Sequence, residues 1–123
     1  MEDNKIIIKE FFAAWNDHDI TKAISLLNGG GLESAKREFE AFFAAFPDLE
    51  VTLEIILQEN DRVATRSVMH GTHQGTFMNL APTGRGVTMK AHHLFKLEQG
   101  KIIERLGQMD RLELMQQLGM KLA

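Results

Sequence analysis

The spacing of hydrophobic positions changes once along the chain, from a helical period to a period of two. Apolar residues at positions 7, 8, 11, 12 and 15 form one wide stripe and predict an amphipathic helix over residues 3–16. Asp19 is a favourable N-cap for a second helix, Ile20–Leu27. After a glycine-rich joint at 28–31, a third helix with an aromatic face is predicted over Leu32–Phe46.

From Leu49 onward, apolar and polar residues alternate, which is typical of strands with one buried face. Leu49, Val51, Leu53, Ile55 and Leu57 are expected to point inward from the first strand. Three further strands are predicted over residues 62–72, 87–97 and 101–108, with turns at Glu59-Asn60-Asp61 and Gln99-Gly100 and a loop at 74–86. A last helix is predicted from Asp110 to Gly119.

Helices followed by consecutive antiparallel strands indicate an α+β fold. We expect one domain over residues 1–123, in which the early helices lie across the concave face of a curved sheet and enclose a cone-shaped pocket. The outer face of this sheet still carries apolar residues, such as Ile56, Val68 and Leu94. Because a monomer would leave them in water, the sequence predicts a homodimer or higher oligomer formed through the sheet.

Composition narrows the classes of function. The net charge of −3 gives no electrostatic reason to expect a nucleic-acid partner. No apolar run approaches the length of a membrane span. The chain has no cysteine, which excludes disulfides and thiolate nucleophiles and favours the cytoplasm.

Asp110 and His93 are the candidates for acid–base chemistry. His93 has the parity of Val87, Met89, Ala91 and Phe95, so it is expected on the inner face of its strand. Asp110 follows the next strand, at a pocket mouth expected to be lined by Leu106, Met109 and Leu114. A carboxylate there can take a proton from carbon next to a carbonyl. Asp110 is equally well placed as a plain helix N-cap, and His93 as a core histidine.

The two candidates are predicted to lie apart unless the chain bends. His93 is expected to pair near Leu106, which puts Asp110 about four residues, or roughly 13 Å, further along the strand. Direct contact would require an inward bend at Gly107. Without that bend, a substrate has to bridge them, or Asp110 is only a cap.

Five more residues are candidates for the pocket, each with a structural alternative. His73 lies at the pocket rim or fixes its loop by hydrogen bonds. Arg66 and Glu104 form a polar pair in the cavity or ion pairs on the surface. Trp15 and Phe43 belong first to the core and second to the pocket lining. Because adjacent strand residues such as His92 and His93 point to opposite faces, no metal site is predicted.

The chain from residue 46 onward resembles the SnoaL-like polyketide cyclase family of the nuclear transport factor 2-like superfamily. The matching pieces are Phe46-Pro47-Asp48-Leu49, Asn60 to Arg66, Gly71-Thr72-His73-Gln74-Gly75-Thr76-Phe77, Pro82-Thr83-Gly84-Arg85, Gly100 to Glu104, and Asp110 to Gly119. The resemblance implies a cone-shaped α+β barrel around an apolar cavity. It also implies an acid/base role for the residue at Asp110 in an intramolecular aldol ring closure, without metal or cofactor.

Two hypotheses of function follow. The first is a cofactor-free cyclase, isomerase or dehydratase that acts next to a carbonyl of a small apolar molecule. The second is a non-catalytic module on the same fold that binds a small molecule or dimerises. The acid and the inward imidazole favour the enzyme. The module is favoured by the missing cavity strand, which is reduced to residues 28–31, and by the few polar residues of the N-terminal half. Leu106 also departs from the family pattern, because an aromatic residue is common at its position, and both departures count against a polyketide substrate.

Overall fold

A computed structural model of the protein describes residues 2–29 and 31–119. Its elements are α1 (Glu2–Asn16), α2 (Ile20–Ser25), α3 (Leu32–Ala45), β1 (Glu50–Glu59), β2 (Arg62–Thr72), β3 (Gly86–Glu98), β4 (Lys101–Met109) and α4 (Arg111–Gln117). The four strands form one antiparallel sheet in the order β1-β2-β3-β4. The predicted α+β fold is therefore confirmed.

Helices α1 and α3 pack on one face of the sheet, where their apolar stripes form the core. Ile8, Phe11 and Phe12 of α1 and Phe39 of α3 are buried together with Phe95 of β3. The C-terminal half of α3 packs in a second cluster, with α4 and the far ends of β2 and β3. Because Phe39 belongs to the first cluster and Phe42 to the second, α3 connects the two.

Local chemistry sets the ends of the elements. The Asp19 carboxylate accepts a hydrogen bond from the backbone N–H of Lys22 and caps α2. At the β3–β4 turn, Gln99 and Gly100 have φ angles of 52° and 76°, the pair of positive values that a type I′ hairpin turn requires. The predicted hairpin is thus confirmed.

A bulge in β1 reverses the direction in which its second half faces. The register with β2 shifts between Leu53 and Ile55. Beyond the shift, Ile55 and Leu57 are exposed and Ile56 packs on the core, so the inward direction predicted for Ile55 and Leu57 is wrong. A bulge adds one residue to a strand, and each added residue exchanges the two faces.

A second bulge has the same effect in β4. The register with β3 shifts so that Lys96 pairs with Glu104 while Leu97 pairs with Ile102. His93 is consequently opposite Gly107, one residue beyond the Leu106 that simple counting predicts. Leu106 pairs with Leu94 on the outer face, and Arg105 turns inward.

The segment after α2 lies against the edge strand β4. The helix ends at Ser25, earlier than the predicted Leu27, because Leu27 forms a parallel bridge with Ile102. Two backbone hydrogen bonds hold the segment, from Asn28 N to Ile102 O and from Ile102 N to Leu26 O, each 2.8 Å long. Within residues 2–29 and 31–119, no helix is long and apolar enough to cross a membrane.

Candidate active site

A cavity of about 60 Å³ lies between the two long helices and the inner face of the sheet. Aromatic side chains form its helical wall: Phe11, Phe12 and Trp15 from α1 and Phe42 from α3. The sheet wall includes three methionines, Met69, Met89 and Met109. Methionine side chains are flexible and polarisable, so this wall can adapt its shape to a ligand.

The polar side chains in the cavity wall are few. Glu38 comes from α3, Ser67 from β2, His93 from β3 and Arg105 from β4. An apolar pocket with a few convergent polar groups is the usual form of a small-molecule site.

His93 lies on the inner face of β3, as predicted, and its ring occupies the space left by the missing side chain of Gly107. A Cβ atom at position 107 would lie 2.3 Å from His93 Cδ2 and 2.5 Å from Nε2. The imidazole also stacks on Phe95, with ring centroids 5.6 Å apart. Gly107 therefore allows the close approach of the imidazole and stays paired in the ladder, where it does not bend the strand inward.

The surroundings of His93 keep its imidazole neutral. Burial, together with the positive charges of Arg105 and His92, lowers the pKa of His93 from 6.5 to about 4. Its Nδ1 atom is buried and has no hydrogen-bond partner among the described residues. On the adjacent strand, Thr65 is paired directly with His93, and its Oγ1 is also buried and finds no partner within the described part of the chain. Two neighbouring polar groups on the inner face thus lack partners, which is uncommon in protein interiors.

Arg105 is a site residue that counting along the strand misses, because the β4 bulge gives it the inward parity expected of Leu106. Its guanidinium carbon lies 5.9 Å from the ring centroid of Phe11 and 5.5 Å from that of Phe39. One guanidinium nitrogen lies 3.4 Å from Glu38 Oε1. The sequence signal for Arg105 is a second charged residue directly after Glu104 in β4, but only the register reveals that it points inward.

Asp110 caps α4, as its position predicts. Its Oδ1 accepts a hydrogen bond from Glu113 N at 3.1 Å, and its own N–H donates to Lys90 O at 3.0 Å. The side chain is exposed and is not part of the cavity wall, although the preceding Met109 is. Since Asp110 lies three residues beyond the partner of His93, the two are separated by roughly 10 Å along the strand. The structure does not bring them into hydrogen-bonding contact.

His73 is fully buried and holds the β2–β3 loop. Thr83 N donates a 3.1 Å hydrogen bond to His73 Nδ1, so that nitrogen is the acceptor. The backbone of His73 bonds to Arg85 O and Gly84 N as well. Of the two alternatives for His73, these contacts match the one in which it fixes the loop. His73 is not among the residues that line the cavity.

The remaining predicted site residues are divided between the surface and the cavity. Arg66 pairs with Glu54 at 3.1 Å, and Glu104 pairs with Arg62 at 3.5 Å, so both make ion pairs on the outer face and not with each other. Leu106 is on that face too, which removes it from the cavity mouth.

The two aromatic candidates from the helices differ in position. Trp15 is in the cavity wall. Phe43 packs against Trp15 at 5.3 Å and stacks on His18 at 4.4 Å, so it supports the wall from behind. Across residues 2–29 and 31–119, no group of three or more His, Asp or Glu side chains is placed to hold a metal ion.

A curved sheet that encloses an apolar cavity beneath N-terminal helices defines a class of small α+β proteins, and comparison with known proteins identifies the family. The family model for SnoaL-like polyketide cyclase matches residues 25–118. The chain belongs to the SnoaL-like polyketide cyclase family. No curated protein matches it.

Solved structures agree with this assignment. AclR from Streptomyces galilaeus, a proposed hydroxylase, is 28% identical to this chain and superimposes with a TM-score of 0.92. The match covers 100% of this chain and 89% of AclR. IdmH from Streptomyces antibioticus, a proposed polyketide cyclase, is 27% identical with a TM-score of 0.83, covering 94% and 98%. A proposed SnoaL-like polyketide cyclase from Jannaschia sp. CCS1 has the same fold at 24% identity, a TM-score of 0.87 and coverage of 98% and 94%.

Proposed function

We propose that the protein is a cofactor-free acid/base enzyme that acts next to a carbonyl group of a small apolar or polyketide-like molecule. The reaction is of the cyclase, isomerase or dehydratase type, and the substrate binds in the cavity between α1, α3 and the sheet. The cytoplasm is the proposed location.

The observation that carries this proposal is the neutral imidazole of His93 in a mostly apolar wall, with its Nδ1 atom left without a hydrogen-bond partner among the described residues. A neutral imidazole carries one N–H group, which can donate a hydrogen bond to a carbonyl oxygen. As negative charge develops on that oxygen, such a donor stabilises it more than water does, because the site is apolar. His93 is therefore proposed to polarise the carbonyl of the substrate.

Asp110 is proposed as the acid/base, and the substrate as the bridge to His93. The rise along β4 separates the two residues by roughly 10 Å, which a molecule with one ring and a short chain can span. Ligand pockets for drug-sized molecules usually measure about 300–1,000 Å³. The cavity of about 60 Å³ has to widen for such a ligand. Rotation of the methionine side chains is the proposed means.

Hydrogen–deuterium exchange at carbon next to the carbonyl of phenylacetone tests the acid/base role without knowledge of the natural substrate. We expect the wild-type protein to accelerate exchange above the buffer rate, and Asp110→Asn to lower that acceleration by about 10²-fold or more. Asparagine still caps a helix, so the thermal stability should stay nearly unchanged.

Asp19→Asn is the matched control, since Asp19 caps α2 through the same bond to the third following residue. It should exchange phenylacetone like wild type. If Asp110→Asn retains full exchange activity, the assignment of Asp110 is wrong.

The second candidate is a non-catalytic module that binds a small molecule. The exposed position of Asp110, with its carboxylate engaged by Glu113 N outside the cavity wall, favours this alternative. It predicts no acceleration of exchange by the wild-type protein, while small apolar molecules still bind in the cavity.

A further inference from the structure

The charged residues of the cavity wall, within the part of the chain that the structure describes, are Arg105 and Glu38. They come from opposite sides, Arg105 from the sheet and Glu38 from α3. The faces of two phenylalanine rings hold the guanidinium in place, and Phe11, one of the two, also lines the cavity. A cation fixed in this way at an apolar pocket can orient a ligand.

The pair between Arg105 and Glu38 is weak enough to be exchanged. Its N–O distance of 3.4 Å exceeds the roughly 2.7–2.9 Å of a good charge-assisted hydrogen bond. The side chains of Arg105 and Glu38 are 21% and 36% exposed, and partly exposed pairs contribute little. A guanidinium carries five N–H donors. Glu38 contacts only one of the guanidinium nitrogens of Arg105. Its positive charge also acts on the pocket, because it helps to lower the pKa of His93.

We propose that the cavity selects molecules with an acidic oxygen at one end of an apolar body, and that this oxygen binds Arg105 in place of Glu38. The acidic group is a carboxylate or an ionised enol, both of which accept charge-assisted hydrogen bonds from a guanidinium. The apolar body lies among the aromatic and methionine side chains. This inference rests on the cavity being the substrate site of the proposed function, and it names the class of that substrate.

Two ligands of the same shape separate the effect of the acidic group from that of apolar burial. Phenylacetate carries the carboxylate and phenylacetamide is its neutral counterpart. Trp15 is the single tryptophan of the chain and lines the cavity, so its fluorescence reports binding directly. We expect wild type to bind phenylacetate roughly tenfold more tightly than phenylacetamide.

Substitutions at the pair should change this preference in opposite directions. Arg105→Gln should bring the ratio of the two dissociation constants close to one. Glu38→Gln removes the competing carboxylate, so it should tighten phenylacetate several-fold and leave phenylacetamide unchanged. Arg105→Lys retains the charge and should keep part of the preference, and the double variant Glu38→Gln/Arg105→Gln should show none. Thermal unfolding of each variant checks that it is folded.

The outer-face pair of Arg62 and Glu104 provides matched controls. Its N–O distance is 3.5 Å and both side chains are 43% exposed, but neither residue lines the cavity. Arg62→Gln and Glu104→Gln should leave the preference for phenylacetate unchanged.

The outcomes separate this inference from the proposed function. Equal affinity of wild type for the acid and the amide overturns the inference and leaves the exchange test of Asp110 intact. If Asp110→Asn loses exchange activity but still binds phenylacetate more tightly than phenylacetamide, both the inference and the acid/base role of Asp110 are supported. If neither ligand changes the fluorescence of Trp15, the cavity does not bind this class of molecule and the inference is overturned.

Discussion

At the scale of single residues, His93 and Gly107 form one unit across two strands. The imidazole fills the space in which any side chain at position 107 would begin, because the ideal Cβ would lie 2.3 Å from a ring carbon. This contact lies within the β3–β4 ladder, where the pairing of both strands limits how far the backbone can shift. The position of the imidazole in the cavity wall thus depends on the glycine opposite it.

Gly107→Ala should displace the His93 ring and lower the free energy of unfolding by about 1–3 kcal/mol, the usual cost of overpacking. Urea denaturation measures the change. Gly86→Ala is the control, because a Cβ there meets nothing within 4 Å, and it should be close to neutral. In the double variant His93→Ala/Gly107→Ala, much of the loss should be recovered. A Gly107→Ala protein as stable as wild type would contradict the close contact.

The lowered pKa of His93 predicts a specific dependence of stability on pH. In the unfolded chain this histidine takes up a proton near pH 6.5, whereas the folded protein resists it until about pH 4. The contribution of His93 to the free energy of unfolding is therefore complete above pH 6.5. It is lost progressively as the pH falls toward 4, and the loss levels off below that pH. Allowing for the partial exposure of the ring, the loss should be about 2 kcal/mol.

Urea unfolding of wild type and His93→Asn across this range checks the prediction. Asparagine does not titrate, so the difference in stability between the two proteins should shrink as the medium becomes acidic. A constant difference between wild type and His93→Asn at every pH would show that the imidazole is not desolvated.

At the scale of elements, the capped starts of α2 and α4 and the β3–β4 turn were predictable because they depend on local chemistry. The capping carboxylates of Asp19 and Asp110 and the Gln99-Gly100 turn act within a few residues, so their positions follow from the sequence. The inward direction of His93 was predictable for the same reason, since β3 runs without a bulge from Val87 to Lys96.

The directions of β1 and β4 after their bulges were not predictable by counting. Each bulge exchanges the two faces of the strand beyond it, and its place depends on how neighbouring strands pair. As a result, Leu106 was assigned to the pocket and Arg105 was overlooked, although the two are adjacent. That His73 fixes its loop was one of the two alternatives, but its partner Thr83 was not predictable, because Thr83 lies ten residues away across an irregular loop.

At the scale of the whole molecule, the outer face of the sheet carries an apolar row that the protein itself leaves uncovered. Cross-strand pairing aligns Leu57 with Ala64, Ala64 with Leu94, and Leu94 with Leu106, so the row crosses all four strands. Leu57 is 64% exposed and Leu106 is 56% exposed. Of the residues first expected to form this face, Ile56 turns inward and Val68 is buried at 7%, while Leu94 remains.

We propose that a second copy of the chain covers this row, sheet against sheet. The ion pairs of Arg62 with Glu104 and of Arg66 with Glu54 lie on the same face and would form a polar rim around the apolar centre. Because the row spans the full width of the sheet, two copies related by a two-fold axis can bury their rows against each other.

Sedimentation equilibrium at micromolar concentration should therefore give twice the 13.9 kDa mass of the chain. Leu57→Glu or Leu106→Glu places a charge in the apolar row and should yield monomers, since an unpaired carboxylate is costly to bury. Leu112→Glu is the matched control: Leu112 is similarly exposed at 49% but lies on α4, outside the row, so this variant should remain dimeric. A monomeric wild type, or variants in the row that dimerise as wild type does, would show that the outer face is not the interface. If wild type is a dimer and the row variants are monomers, measuring whether these monomers bind phenylacetate shows whether the cavity needs the second copy.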